Sequence, residues 1–245
     1  MKLKFGKGNA KLGSRIRTFS LPAGWSCPFA LECKSKVVLL NGSRKIRDGS
    51  ATKFRCFAAS SEVVYPAVYD ARQHNWNALK THRRSIAAMA SLISSSIPGR
   101  TKWVRIHVSG DFFSQKYFDA WLKVARSNPN ILFYAYTKSL LYWVSRLDSI
   151  PTNLILTASF GGKTDYLIEK HSLRYAKVVF SEEEAATLGL PIDHDDSHAY
   201  TNGGSFALLL HGIQPAKSKS AEALKKLKGK GSYSRKRKVK NEIRT

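Results

Sequence analysis

The sequence predicts an α/β fold built on a parallel sheet or barrel. Three observations predict it. From residue 103 to residue 212, short apolar runs alternate with helical segments through short links, the pattern of consecutive β/α units. The runs are apolar on both faces, as buried parallel strands are. Each stops at small polar residues: Ser109-Gly110-Asp111, Thr137-Lys138-Ser139, Thr157-Ala158-Ser159, Ser181 and His211-Gly212. In parallel α/β folds the carboxyl ends of the strands form the active site.

The elements follow in order. Residues 1–17 read as a basic flexible arm, with a short strand near Ile16–Ser20 at its end. Residues 18–60 are loop-rich, with Pro22, Gly24, Pro28, Gly42 and Gly49, and hold all three cysteines. A long helix from about Val63 to Ile97 ends at Pro98-Gly99. WVRIHVSGD (103–111) is a strand. SQKYFDAWLKVARSNP (114–129) sets Phe118, Trp121, Leu122 and Ala125 on one helical face, with Ser114 as its cap. ILFYAYTKS (131–139) is a strand, LLYWVSRL (140–147) a short helix and NLILTASFGG (153–162) a strand. KTDYLIEKHS is a helix, AKVVFS (176–181) a strand, EEEAATLGL a helix capped by Ser181, and GSFALLLHG (204–212) the last strand. The six strands are 16–20, 103–108, 131–136, 153–158, 176–180 and 205–210. They belong to a single domain, residues 18–215, whose β/α units occupy 100–212. A basic flexible tail, 216–245, follows.

The formal charge is +24 and it is uneven. Residues 217–245 hold twelve Lys and Arg against Glu222 and Glu242, and residues 1–17 hold six Lys and Arg with no acid. Such ends attract polyanions without reading sequence, so a nucleic acid is the expected partner. The tail has few large apolar residues to bury in a membrane surface. No run approaches the eighteen apolar residues of a bilayer span. The N-terminus lacks an apolar signal core, which argues for a cytoplasmic protein. In that reducing compartment a structural disulfide would be unusual.

Cys27 and Cys33 lie in SLPAGWSCPFALECKSK, and Cys56 follows in FRCFAAS. Three readings compete. Free cysteines can be inert core residues, but these lie among Pro, Gly, Ser and charged neighbours. A zinc site needs a fourth ligand, which His74 or His107 could supply. An iron–sulfur site can hold three irons of a four-iron cluster on three thiolates and leave the fourth iron open. Lys34, Lys36 and Arg55 nearby would favour thiolate over thiol.

With six β/α units, three loop cysteines and an SGD turn after the second strand, the chain resembles the radical S-adenosylmethionine enzymes. The resemblance implies a partial (β/α)6 TIM-type barrel with a cysteine-bearing N-terminal loop region. It implies a 4Fe-4S cluster on Cys27, Cys33 and Cys56, and S-adenosylmethionine as cofactor. Ser109, Gly110 and Asp111 would hold the cofactor's amino-acid end. Thr137, Lys138 and Ser159 would line the barrel mouth near its carboxylate or ribose. The sequence departs from that family in spreading its cysteines over thirty residues. A more specific resemblance, over roughly residues 18–215, is to a phage-encoded family known as gene product eighty-eight. It rests on the Cys-Pro…Cys…FRCFAAS pattern and on VSGDFFSQKYFDAW…NPNILFYAYTKS. It implies a phage or mobile-element origin, with the host cytoplasm as location, and carries no activity with it.

Three functions are therefore expected in competition. The first is a radical-type iron–sulfur enzyme acting on nucleic acid or a nucleotide. The second is a non-catalytic basic nucleic-acid-binding protein with structural zinc or free cysteines. The third is a metal-dependent nuclease using Asp193, His194, Asp195, Asp196 and His198 of DHDDSHAY, since carboxylates and imidazoles can bind a divalent metal. A polar surface loop is the plain alternative for that cluster. Aromatics interleaved with cations in FFSQKYF and YAYTKSLLYW could stack single-stranded bases or simply pack a core.

Overall fold

The computed structural model describes residues 2–8, 12, 16–201 and 203–227. A two-residue edge strand, β1 (Gly6–Lys7), runs antiparallel to β2 (Ile16–Ser20). Next come β3 (Ser35–Leu40) and β4 (Ser43–Asp48), an antiparallel hairpin outside the main sheet. Then β5 (Trp103–Ser109), β6 (Leu132–Thr137), β7 (Leu154–Ser159), β8 (Tyr175–Val179) and β9 (Phe206–Leu209) join β2, each parallel to the one before. The sheet order is β1-β2-β5-β6-β7-β8-β9. The expected α/β class with a mostly parallel sheet is observed, and the six parallel strands lie within a residue or two of their expected places. Because the order follows the chain without reversal, the carboxyl ends of all six open on one rim.

The single long helix expected over 63–97 is three helices. α1 (Phe57–Val64) stops before Pro66, which opens α2 (Pro66–Thr81) at its first position. Proline has no N–H to continue a helix but fits that position. α3 (Ile86–Ser96) restarts after a turn, with Ser85 accepting from the Ala88 amide. α4 (Gln115–Arg126) begins at Ser114, which accepts from Tyr117 N at 3.2 Å. α5 (Leu140–Val144) and α6 (Tyr166–Lys170) are short. α7 (Glu182–Thr187) is capped by Ser181. α8 (Ser197–Tyr200) lies in DHDDSHAY, and α9 (Lys219–Lys226) forms where only a flexible tail was expected. Residues 2–7 are docked: Leu3 is buried, its amide donates to Ser96 Oγ, and Asn75 bonds the Lys4 backbone. The basic segment 228–245 lies outside the described residues. Among those described, no helix is long and apolar enough to cross a membrane.

The sheet's two faces differ, because alternate strand residues point opposite ways. Val104, Ile106, Phe133, Ala135, Leu154, Leu156 and Ala158 form one core with Met89 and Ile93 of α3 and Phe118 and Trp121 of α4. Trp103, Tyr134, Tyr136, Ile155, Ala176, Phe206 and Leu208 form another on the opposite face. Across that second face the Tyr136 and Phe206 rings lie 6.0 Å apart. Their strands are three spacings apart, about 14 Å in a flat sheet. The sheet therefore curves around this face.

Candidate functional site

At the carboxyl rim lies an open cavity of about 1090 Å³, counted to its solvent-filled mouth. Strand ends supply Ser109, Gly110, Asp111, Thr137, Lys138 and Ser159, and the N-terminal loops supply Cys27, Cys33 and Cys56. All nine residues singled out from the sequence thus line one space. Its walls include Phe54, Phe57, Val178, Leu208, Leu209 and Leu210, an apolar lining of the kind ligand pockets carry.

Backbone bonds fix the cysteine loops to the strand ends. Leu31 and Glu32 amides donate to Gly161 O at 3.1 and 2.9 Å, just past β7. Lys163 N donates to Phe29 O at 2.9 Å. Gly161 has φ +91°, and a Cβ there would meet the Glu32 side chain at 3.0 Å. Gly110, at φ +85°, sits against Ser26 Oγ, which a Cβ would approach to 2.5 Å. Gly212 likewise abuts Phe57, directly after Cys56. Only glycine permits these approaches. Glu62 of α1, fully buried, accepts from Ala23 N at 2.8 Å and from Arg72 at 2.9 Å. Burial raises its pKa against the pull of Arg72.

The thiols influence one another. Burial, and after it Asp111, Cys56 and Cys33, push the Cys27 thiol far up. Burial and Cys33 push Cys56 up to about 11, against the amides of Ala58 and Ala59. This reverses the expectation that neighbouring cations favour thiolate. Lys36 sits over the Trp25 ring and Arg55 pairs with Asp48 at 2.6 Å; Lys34 stays beside Cys27, donating to its carbonyl, yet burial outweighs it. Among the described residues no three His, Cys, Asp or Glu side chains are grouped to hold a metal ion. His74 Nε2 donates to Lys2 O at 2.8 Å, away from the cavity, whereas His107 lines it.

Asp111 lines the cavity and also joins two strand ends. Its carboxylate accepts from Phe112 N at 2.8 Å, Thr137 Oγ1 at 2.6 Å and Lys138 N at 2.8 Å. It therefore ties the β5 turn to the end of β6. Burial raises its pKa, and these bonds oppose the rise. Lys138 reaches across to Ser159 Oγ at 2.5 Å, joining β6 to β7 at the rim.

The cavity also holds Asp196 and His211, named above for other reasons, and two residues the sequence did not single out, Arg105 and Tyr136. Arg105 pairs with Asp196 at 2.5 Å, and Tyr134 and Tyr136 donate to the same carboxylate at 3.3 and 3.5 Å. DHDDSHAY thus closes the curved face: Asp193 accepts from Asp195 N and Asp195 from Ser197 N. These are turn and core bonds. The signal available in the sequence is the alternation Trp103-Arg105 and Tyr134-Tyr136, polar residues at every second position of otherwise apolar strands.

A family model described as Gene product 88 matches residues 1–229. The chain belongs to the gene product 88 family. It is 31% identical over 140 residues to the Gene 88 protein of Mycobacterium phage L5, covering 54% of this chain and 51% of that protein. It is 29% identical over 140 residues to the Gene 88 protein of Mycobacterium phage D29, covering 54% and 50%. The chain spans about half the length of the curated relatives it matches. No solved structure matches it. The phage family expected from FRCFAAS is therefore shown. None of these matches is named as a radical S-adenosylmethionine enzyme.

Proposed function

We propose that the cavity is the active site of a radical S-adenosylmethionine-like iron–sulfur enzyme acting on nucleic acid or a nucleotide. The observation that carries this is the meeting of Cys27, Cys33 and Cys56 with Ser109, Thr137, Lys138 and Ser159 in one space on the carboxyl rim. The donor set fits a cluster. Cys27 and Cys56, whose thiols burial pushes up, share that space with Cys33, and the positive charge of an iron core would offset the cost of forming their thiolates. A four-iron cluster fills the space between three thiols, so it does not require them grouped on one point as a single ion does.

Cys27, Cys33 and Cys56 would hold the cluster. When bound, cluster and S-adenosylmethionine supply one-electron chemistry that removes a hydrogen atom from a substrate. The protein's own contribution is placement. Ser109 and Gly110 offer the backbone of a fixed turn, held from beneath by Asp111. The Lys138 ammonium, presented with Ser159, suits the cofactor's carboxylate. Val178 and Leu208–Leu210 keep water from the far wall. We further infer that the curved sheet is a partial barrel, supported by its sequential parallel order and by the approach of Tyr136 to Phe206.

Anaerobic reconstitution with iron and sulfide tests the reading. The expected product is brown, binds about four irons and loses them when Cys27, Cys33 or Cys56 becomes alanine. A colourless, iron-free protein after reconstitution overturns it.

A further inference from the structure

The β3–β4 hairpin follows Cys33 directly, and its two faces differ in kind. On one face Val37 lies opposite Ile46, and Ile46 packs on Ala58 and Ala59 of α1. On the other, Lys36 lies directly opposite Arg47, and Val38 opposite Lys45. Lys45 and Arg47 are exposed. Like charges directly opposite across a sheet repel, so this face is stabilised by an anion laid over it. Trp25 lies beside it, half exposed. Its Nε1 donates to Val37 O at 2.8 Å, and Lys36 Nζ sits 4.2 Å from its ring centroid. The indole is thus held in one orientation, with Lys36 over its ring and part of its surface open. An aromatic ring beside a cationic sheet face is what a strand with anionic phosphates and flat bases requires.

We propose that Trp25, Lys36, Lys45 and Arg47 form a docking surface for single-stranded nucleic acid, phosphates on the cations and a base on the indole. The hairpin that carries the surface ends beside the cavity, because Asp48, at the end of β4 and on its other face, holds Arg55, which lines the cavity with Cys56. Its role in delivering a substrate rests on reading the cavity as the active site; the binding itself does not.

The test uses the full chain without added iron and a fluorescein-labelled single-stranded oligonucleotide of mixed sequence, read by anisotropy across a salt series. Lys45→Glu with Arg47→Glu is expected to weaken binding about tenfold or more and to flatten the salt slope by roughly 1.4, about 0.7 for each phosphate no longer neutralised. Lys123→Glu with Lys170→Glu, the same charge change on α4 and α6, is expected to have much less effect. Trp25→Ala is expected to weaken binding with the slope unchanged, and circular dichroism is expected to show all variants folded. Equal losses in the two double variants, or tighter binding to anionic vesicles than to the oligonucleotide, overturn the proposal. A protein that cannot be loaded with iron but keeps hairpin-dependent binding loses only the proposed chemistry. One that loads iron and binds without the hairpin loses only this surface.

Discussion

His107 shows what a single residue can hold that sequence does not reveal. It has φ +63°, a conformation costly for a residue with a Cβ. The cause is a slip in register: β5 advances from Arg105 to Ser109 while β2 advances only from Thr18 to Ser20. The ring is buried on the cavity wall, with Nε2 3.0 Å from the Tyr117 hydroxyl and Nδ1 without a hydrogen-bond partner. Backbone strain and buried polar atoms without partners gather at functional sites. Burial pushes its pKa down to about 3, and burial likewise keeps the Tyr117 phenol protonated. Imidazole and phenol thus share one neutral hydrogen bond. The sign of the pH effect follows. The unfolded imidazole takes a proton below about pH 6.5 and the folded one does not. Its contribution is complete above that pH and is lost as pH falls. From about pH 7.5 to about pH 5.5 the wild type is expected to lose roughly 1.4 kcal/mol relative to His107→Leu, because one pKa unit is worth about 1.36 kcal/mol. Urea melts of both proteins at the two pH values measure it, and parallel losses would contradict the assignment. The strand-end residues are legible in the sequence because each ends an apolar run. The left-handed turn at His107 is not, because the slip depends on a partner strand some ninety residues away.

At the scale of elements, legibility follows how locally each element is determined. Ser114 and Ser181 cap their helices as the sequence indicates, since a cap is a contact over three residues. Pro66 divides the helical stretch by a rule equally local, yet the apolar positions on either side blur into one pattern. The hairpin reads as loop from its residues, although Asn41-Gly42 is a strong short-range turn signal. Its β4 strand, SRKIRD, is too charged to alternate cleanly, and its buried face exists only against α1. Asn41 at φ 48° and Gly42 at φ +74° both take the left-handed conformation that a two-residue turn of this hand requires. A Cβ at Gly42 would meet nothing within 4 Å, so substitution there costs conformation alone. Gly42→Val is expected to cost about 1–2 kcal/mol of local stability and to reduce oligonucleotide binding while the core melts nearly as before. Hydrogen exchange of the hairpin amides, set beside the global melting temperature, separates those two effects.

For the whole molecule, the parallel strands and their common rim are readable because each strand declares itself, but the closeness of distant strands is not. Nothing local in Tyr136 or Phe206 states that they approach to 6.0 Å. The same holds for the three cysteines, whose meeting depends on turns after β5, β7 and β9 that accept the N-terminal loops. Those loops rest on the strand ends through separate sets of bonds: Leu21 at the β5 turn, Leu31, Glu32 and Lys163 at the β7 turn, and Arg55 on Gln214 after β9. A cluster joining Cys27 and Cys33 to Cys56 would staple the two loops to each other across the cavity. A group that binds only the folded chain raises its stability by mass action. The reconstituted protein is therefore expected to melt well above the iron-free one under anaerobic conditions. Alanine at any one of the three cysteines should remove most of that gain, not a third of it, because a four-iron cluster left with two protein thiolates would not be retained. Calorimetry of the wild type and the three single variants, each with and without iron, decides between a shared staple and three independent thiols. Equal melting of loaded and unloaded wild type would show that the cysteines do not act as one site.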